Sequence, residues 1–236
     1  MEDNIFHQLK KFMKEYIEME IDGIVVSCPY WMNKLKMGKV ILRGFLNGKG
    51  SAPAIREELL IRLKNNTAIL SSRLTPEYLR KFARRQRIGI DCSGFVYRVL
   101  DQLIHLNYHG SHISSLDKIF TGGIDRTSAR TLTSRNFCNK LDNTFDLRLG
   151  DMIRLMGGKH IAVIIETIRE KIVYAHCSFL STKIQGVHTS IIRILDITKP
   201  PERQLWEEKT RKDENFGKKY FHPDKGDGVY RLKVFS

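Results

Sequence analysis

Gly89-Ile90-Asp91-Cys92-Ser93-Gly94-Phe95-Val96 is the stretch on which the reading of this chain turns. Asp91 stands where a helix N-cap belongs, and Phe95, Val96, Val99, Leu100, Leu103 and Ile104 follow as one apolar face. The pattern predicts a helix from Asp91 to about Asn107. Cys92 falls in its first turn, where backbone N–H groups lack intrahelical partners and the positive end of the dipole favours a thiolate. The same N–H groups suit the oxyanion that forms when a thiolate attacks a carbonyl. Gly94 leaves one side of the approach open. A small cysteine buried at a helix start accounts for this stretch equally well.

Downstream, the texture changes after Gly150-Asp151 to strands: Met152–Met156, His160–Glu166, Lys171–Ser178, Ser190–Ile197 and Val229–Phe235. The second and third form a hairpin. Folding it about residue 168 sets His160 opposite His176, and a slip of two residues still leaves them diagonal neighbours on one face. Two histidines on one face supply a base for a thiol and a group to orient that base. A zinc site from Cys92, His160 and His176 is the competing reading. Cys177 cannot easily join it, because neighbours in a strand point to opposite faces.

Upstream, residues 5–20 read as a helix, residues 21–28 as a strand, and Pro29-Tyr30-Trp31 leads into a glycine-rich stretch. Ser51-Ala52-Pro53 and Thr75-Pro76-Glu77 each open a helix with proline in its first turn. The second of these ends in a basic cluster, Arg80, Lys81, Arg84, Arg85 and Arg87, which is a candidate surface for an anionic polymer or simply a solvated face. Residues 108–147 are polar, with one short helix expected around Leu132–Leu141. Residues 199–227 read as a charged excursion carrying no functional signal.

These blocks resemble the NlpC-type family of cell-wall cysteine peptidases. The matching stretches are Asp91-Cys92-Ser93-Gly94-Phe95-Val96, the Gly150-Asp151 turn, His160-Ile161-Ala162-Val163, Tyr174-Ala175-His176 and the earlier Pro29-Tyr30-Trp31. The resemblance spans roughly residues 29–180. It implies an α+β, papain-like fold with the nucleophile helix packed on an antiparallel sheet. It also implies Cys92 as nucleophile, His160 as base and His176 as the orienting third member. Tyr30 would lie near the oxyanion, with Asp91 and Ser93 holding the substrate's amino end. The family's substrate class is the peptidoglycan stem peptide, cut beside D-glutamate, with no metal or organic cofactor. About 60 residues separate Tyr30 from Cys92, so residues 47–90 are expected to form a helical insertion or arm within one domain of residues 1–236.

Composition sets outer bounds. The chain has 236 residues, 42% of them hydrophobic, which suffices for a real core. Its formal net charge of +14 favours an anionic partner or serves solubility. No apolar run reaches the roughly 18 residues needed to cross a bilayer. The start of the chain shows no basic, then apolar, signal pattern, so the expected setting is cytoplasmic, with phage delivery or unconventional export as the other routes. Four cysteines without a Cys-x-x-Cys pair are expected to be reduced. Beside the hydrolase reading stand an acyltransferase or thioester hydrolase on the same scaffold, and a catalytically silent nucleic-acid-binding module.

Overall fold

A computed structural model describes residues 2–66, 74–107 and 113–236. In chain order the elements are α1 (Glu2–Ile17), β1 (Met19–Ile21), β2 (Ile24–Val26), β3 (Lys34–Lys36), β4 (Lys39–Leu42), α2 (Ala52–Lys64) and α3 (Pro76–Arg85). Then come α4 (Cys92–His105), α5 (Ala129–Leu132), β5 (Cys138–Leu141), β6 (Met152–Leu155), β7 (His160–Ile168) and β8 (Lys171–Ser178). The last are β9 (Gly186–Arg193), β10 (Leu205–Trp206), α6 (Phe216–Tyr220) and β11 (Gly228–Leu232). Helices dominate the first half and strands the second, which is the α+β class.

Asp91 caps α4 as its sequence implies: the carboxylate accepts from the Gly94 N–H at 2.6 Å. Ten of the fourteen residues of α4 are buried, too many for a simple amphipathic stripe, so the helix lies inside the molecule. It packs on one face of a seven-stranded antiparallel sheet of order β10-β9-β8-β7-β6-β11-β5. Alternation along β7 sorts the two faces. Ile161, Val163 and Ile165 join the core shared with α1–α4, whereas Ala162 and Ile164 join a second core with Tyr174, Trp206, Phe216 and Phe221.

The two helices of the 47–90 segment carry Ile55, Leu59, Leu79 and Phe82 into the first core, beside Phe95 and Leu100 of α4. Ser51 and Thr75 cap them, with proline in each first turn. Two small hairpins precede them, β1–β2 and β3–β4. The second projects with Leu35, Met37 and Ile41 exposed.

Four expectations need correction. The helix over 5–20 ends at Ile17, and in place of one strand over 21–28 the chain turns back on itself, β1 pairing with β2 so that Ile21 faces Ile24. Residues 138–141 form strand β5, and the short helix lies earlier, at Ala129–Leu132. The cause is long-range pairing, since Cys138 faces Leu232 of β11, which local propensity does not encode. Strand β9 begins at Gly186, four residues before the expected Ser190, because its apolar alternation starts at Val187 and pairs with β8 throughout. In the β7–β8 hairpin Val163 faces Ala175, two residues away from the register that would set His160 opposite His176, and a bulge falls between Ile164 and Glu166.

Gly48 fixes how the loop entering α4 is held. Its φ is +72°, following Leu46 and Asn47, which also have positive φ. Its carbonyl accepts from the Asp91 N–H at 2.9 Å. A Cβ there would lie 2.5 Å from the Trp31 carbonyl oxygen. Gly48→Ala is therefore expected to cost about 2–4 kcal/mol, combining left-handed strain with overpacking. Urea unfolding of the two proteins measures this, and a loss below about 0.5 kcal/mol would mean that the loop relaxes freely.

Candidate active site

Cys92 begins α4 and lines an open cleft of about 1040 Å³. One wall is the β3–β4 hairpin with Asn47 and Lys49, the other the 125–130 loop, and Gly158-Lys159 closes one end. The backbone N–H groups of Ile161 and Ser93 lie near the Cys92 sulphur and favour its thiolate. The start of α4 and the start of β7 therefore meet at the thiol. All four cysteines are free. Of these, Cys92 alone is exposed at more than 2%, with 6% of its surface accessible.

Burial pushes the Cys92 thiol up to about 12, with the Asp91 carboxylate acting the same way and Lys49 and the two N–H groups opposing. A rise of that size corresponds to about 4 kcal/mol, against at most about 2 kcal/mol from a helix terminus. The thiolate expected from the helix start is thus overruled by desolvation, and the resting group is a thiol. Burial, followed by the neighbouring His176, holds His160 well below its ordinary range, so the imidazole is neutral.

His160 opens β7 and His176 lies mid-strand in β8, both buried. Their rings meet, with His160 Nε2 2.7 Å from His176 Nδ1. Because the register is shifted, they meet as diagonal neighbours rather than across a direct pair. Among the described residues no hydrogen bond joins Cys92 to His160. The sulphur lies near the backbone N–H of the next residue, Ile161. The His160 ring lies on the face opposite α4, against His176, which packs on Tyr174 and Phe216.

Asp91 and Ser93 border the cleft, but a residue the sequence reading did not single out engages both. Buried Lys49 donates to Asp91 Oδ1 at 2.8 Å, to Ser93 Oγ at 2.5 Å and to the Thr127 carbonyl at 3.2 Å. Gly94 is required by this arrangement: a Cβ there would lie 2.8 Å from the Lys49 side chain and 2.9 Å from the Gly48 carbonyl. The glycine that was expected to keep the approach open instead admits the Lys49 loop. Asp91 and Ser93 thereby fasten the helix start.

Despite the long spacing from Cys92, Tyr30 lies beside the loop that enters α4. It bridges to Ile90, and burial, then the charge positions of Cys92 and Asp91, raises its hydroxyl. Its ring, however, stacks on Phe179 in a neighbouring cavity of about 550 Å³. Lys81, Arg84, Arg85 and Arg87, all exposed, line that cavity while Arg80 does not. Arg84 lies over the Phe179 ring at 3.9 Å.

The histidine pair continues into residues that the sequence reading passed over. His176 Nε2 lies 3.0 Å from His188 Nε2 on β9 and 3.1 Å from Glu208 Oε1, and His188 Nε2 lies 2.9 Å from the same oxygen. Tyr174 donates its hydroxyl to Glu208 Oε2. Burial alone would raise Glu208, but His176 and His188 outweigh it and keep the carboxylate ionised. Glu208 belongs to the 199–227 segment, so that excursion does carry a group joined to the histidines. His188 was legible as the direct cross-strand partner of His176 had the strand been started at Gly186. Glu208 had no local signal.

No family model, curated protein or solved structure matches the chain. Among the described residues, no helix is long and apolar enough to cross a membrane.

Proposed function

We propose that the chain is a cysteine hydrolase of the NlpC type on a papain-like scaffold, cleaving an amide bond in peptidoglycan stem peptides beside D-glutamate. The observation that carries this reading is the junction at Cys92: a thiol on an open cleft, at a helix start, beside the strand that His160 begins. In the reaction, Cys92 Sγ attacks the amide carbonyl carbon while its proton passes to the His160 imidazole. Backbone N–H groups at the start of α4 stabilise the oxyanion. The imidazolium then protonates the leaving amine, and water activated by His160 hydrolyses the thioester. His176 orients the His160 ring. For that transfer the His160 ring, which lies on the sheet face away from α4, has to swing about the start of β7 to reach the thiol as substrate fills the cleft. The neighbouring basic cavity suits an anionic part of the substrate.

The test is digestion of purified muropeptides with products followed by mass spectrometry. The expected result is release of the dipeptide on the amino side of the cut by the unaltered protein and none by Cys92→Ala. Turnover of thioesters with no amide cleavage would shift the reading to an acyltransferase or thioesterase. Strongly salt-dependent nucleic-acid binding with an unreactive Cys92 would favour a silent binding module.

A further inference from the structure

We propose that His176, His188 and Glu208 form a site for a divalent transition-metal ion, zinc by its donor set, on the sheet face away from α4. Two imidazole nitrogens and one carboxylate oxygen, all buried, lie within 4.8 Å of one another. Their mutual distances are 3.0, 3.1 and 2.9 Å, a nearly equilateral triangle. Ligands held at about 2.0–2.1 Å around a tetrahedral ion stand roughly 3.3 Å apart, so the triangle needs only slight expansion.

Hydrogen bonding alone does not satisfy this triangle. His188 Nδ1 sits 3.0 Å from the Gly186 carbonyl, which only accepts, so Nδ1 carries a hydrogen. If His188 is neutral, its bare Nε2 faces the Glu208 carboxylate at 2.9 Å, lone pair to lone pair. If a second proton sits on that Nε2, it opposes whichever hydrogen His176 turns toward Glu208. At least one edge is repulsive in either arrangement. A cation at the centre of the three donors satisfies all three edges at once.

The surroundings are those of an oriented metal shell. Each ligand's other polar atom is engaged: His188 Nδ1 by Gly186, His176 Nδ1 by His160, and Glu208 Oε2 by the Tyr174 hydroxyl. The fold supplies the cluster directly, since His176 pairs with His188 across β8 and β9, and Glu208 follows β10 on the same sheet edge. An ion on His176 Nε2 fixes the remaining proton at Nδ1, which then donates to His160 Nε2. The metal is a positioning element for His160 and does not touch the substrate.

The inference stands on this geometry and not on the hydrolase reading. Full-length protein, stripped with a chelator and reloaded, is expected to bind about one zinc per chain by elemental analysis, and to show visible d–d absorption with cobalt(II) in its place. Glu208→Gln and His188→Asn should each lower zinc affinity at least about 100-fold, beyond what an outer-shell change costs. Tyr174→Phe, which leaves all three ligands in place, should lower it about 10–100-fold and serves if the others fail to fold. Cys92→Ala should bind zinc unchanged, so failure of the hydrolase reading and failure of the metal site are separately visible. A chain that takes up no zinc or cobalt, or takes it up equally well in Glu208→Gln and Tyr174→Phe, overturns the site.

Discussion

Cys92→Ala is expected to lower muropeptide cleavage by at least about 10⁴-fold, the scale on which loss of a nucleophile removes covalent catalysis. Its melting temperature should stay within a few degrees, because the change removes one sulphur atom beside an open cleft. His160→Ala is expected to cost about 10²–10⁴-fold, the usual contribution of a general base. Since the resting cysteine is a thiol and not a thiolate, its reaction with a small alkylating reagent at neutral pH should be slow. Mass spectrometry of the alkylated protein reads this directly. Rapid, selective labelling of Cys92 at neutral pH would show that the helix start prevails over burial, whereas cleavage retained in Cys92→Ala would remove the hydrolase reading altogether.

The second large effect concerns Lys49. Lys49→Met leaves Asp91 as a buried carboxylate without its counter-charge, and the pair is only 7% and 11% exposed. Breaking such a pair costs about 3–5 kcal/mol, a fall in melting temperature of about 10 °C for a chain of this size. Adding Asp91→Asn should restore most of the loss, since asparagine caps a helix as well as aspartate and carries no charge. Thermal unfolding of the two single variants and the double variant gives the coupling. Additive losses would mean that Lys49 and Asp91 do not act as a pair.

Where sequence and structure agree, the signal was local. Asp91 at the cap, the proline starts at Pro53 and Pro76, and the apolar face from Phe95 to Ile104 each specify an element within a few residues. The histidine pair was legible because two strands joined by a short link offer few registers, and the observed slip of two residues kept both rings on one face. Lys49 was hidden because what makes it part of the site is a run of three left-handed residues, Leu46 to Gly48, that carries it beneath Asp91. Glu208 was hidden because it reaches the histidines through β10, a strand of two residues with too short a pattern to read. The face on which the His160 ring sits followed from alternation, but the position of α4 against the other face needed the tertiary structure.

The place of β11 has a consequence for how the sheet assembles. This last strand lies between β6 and β5, bonded to both. Until residues 228–232 dock, the open edge of β6 and the lone strand β5 both lack a partner, and each is a template for mispairing with another chain. Closure of the sheet therefore waits on a pairing between segments about ninety residues apart, so a change that weakens β11 prolongs the period in which aggregation competes with folding.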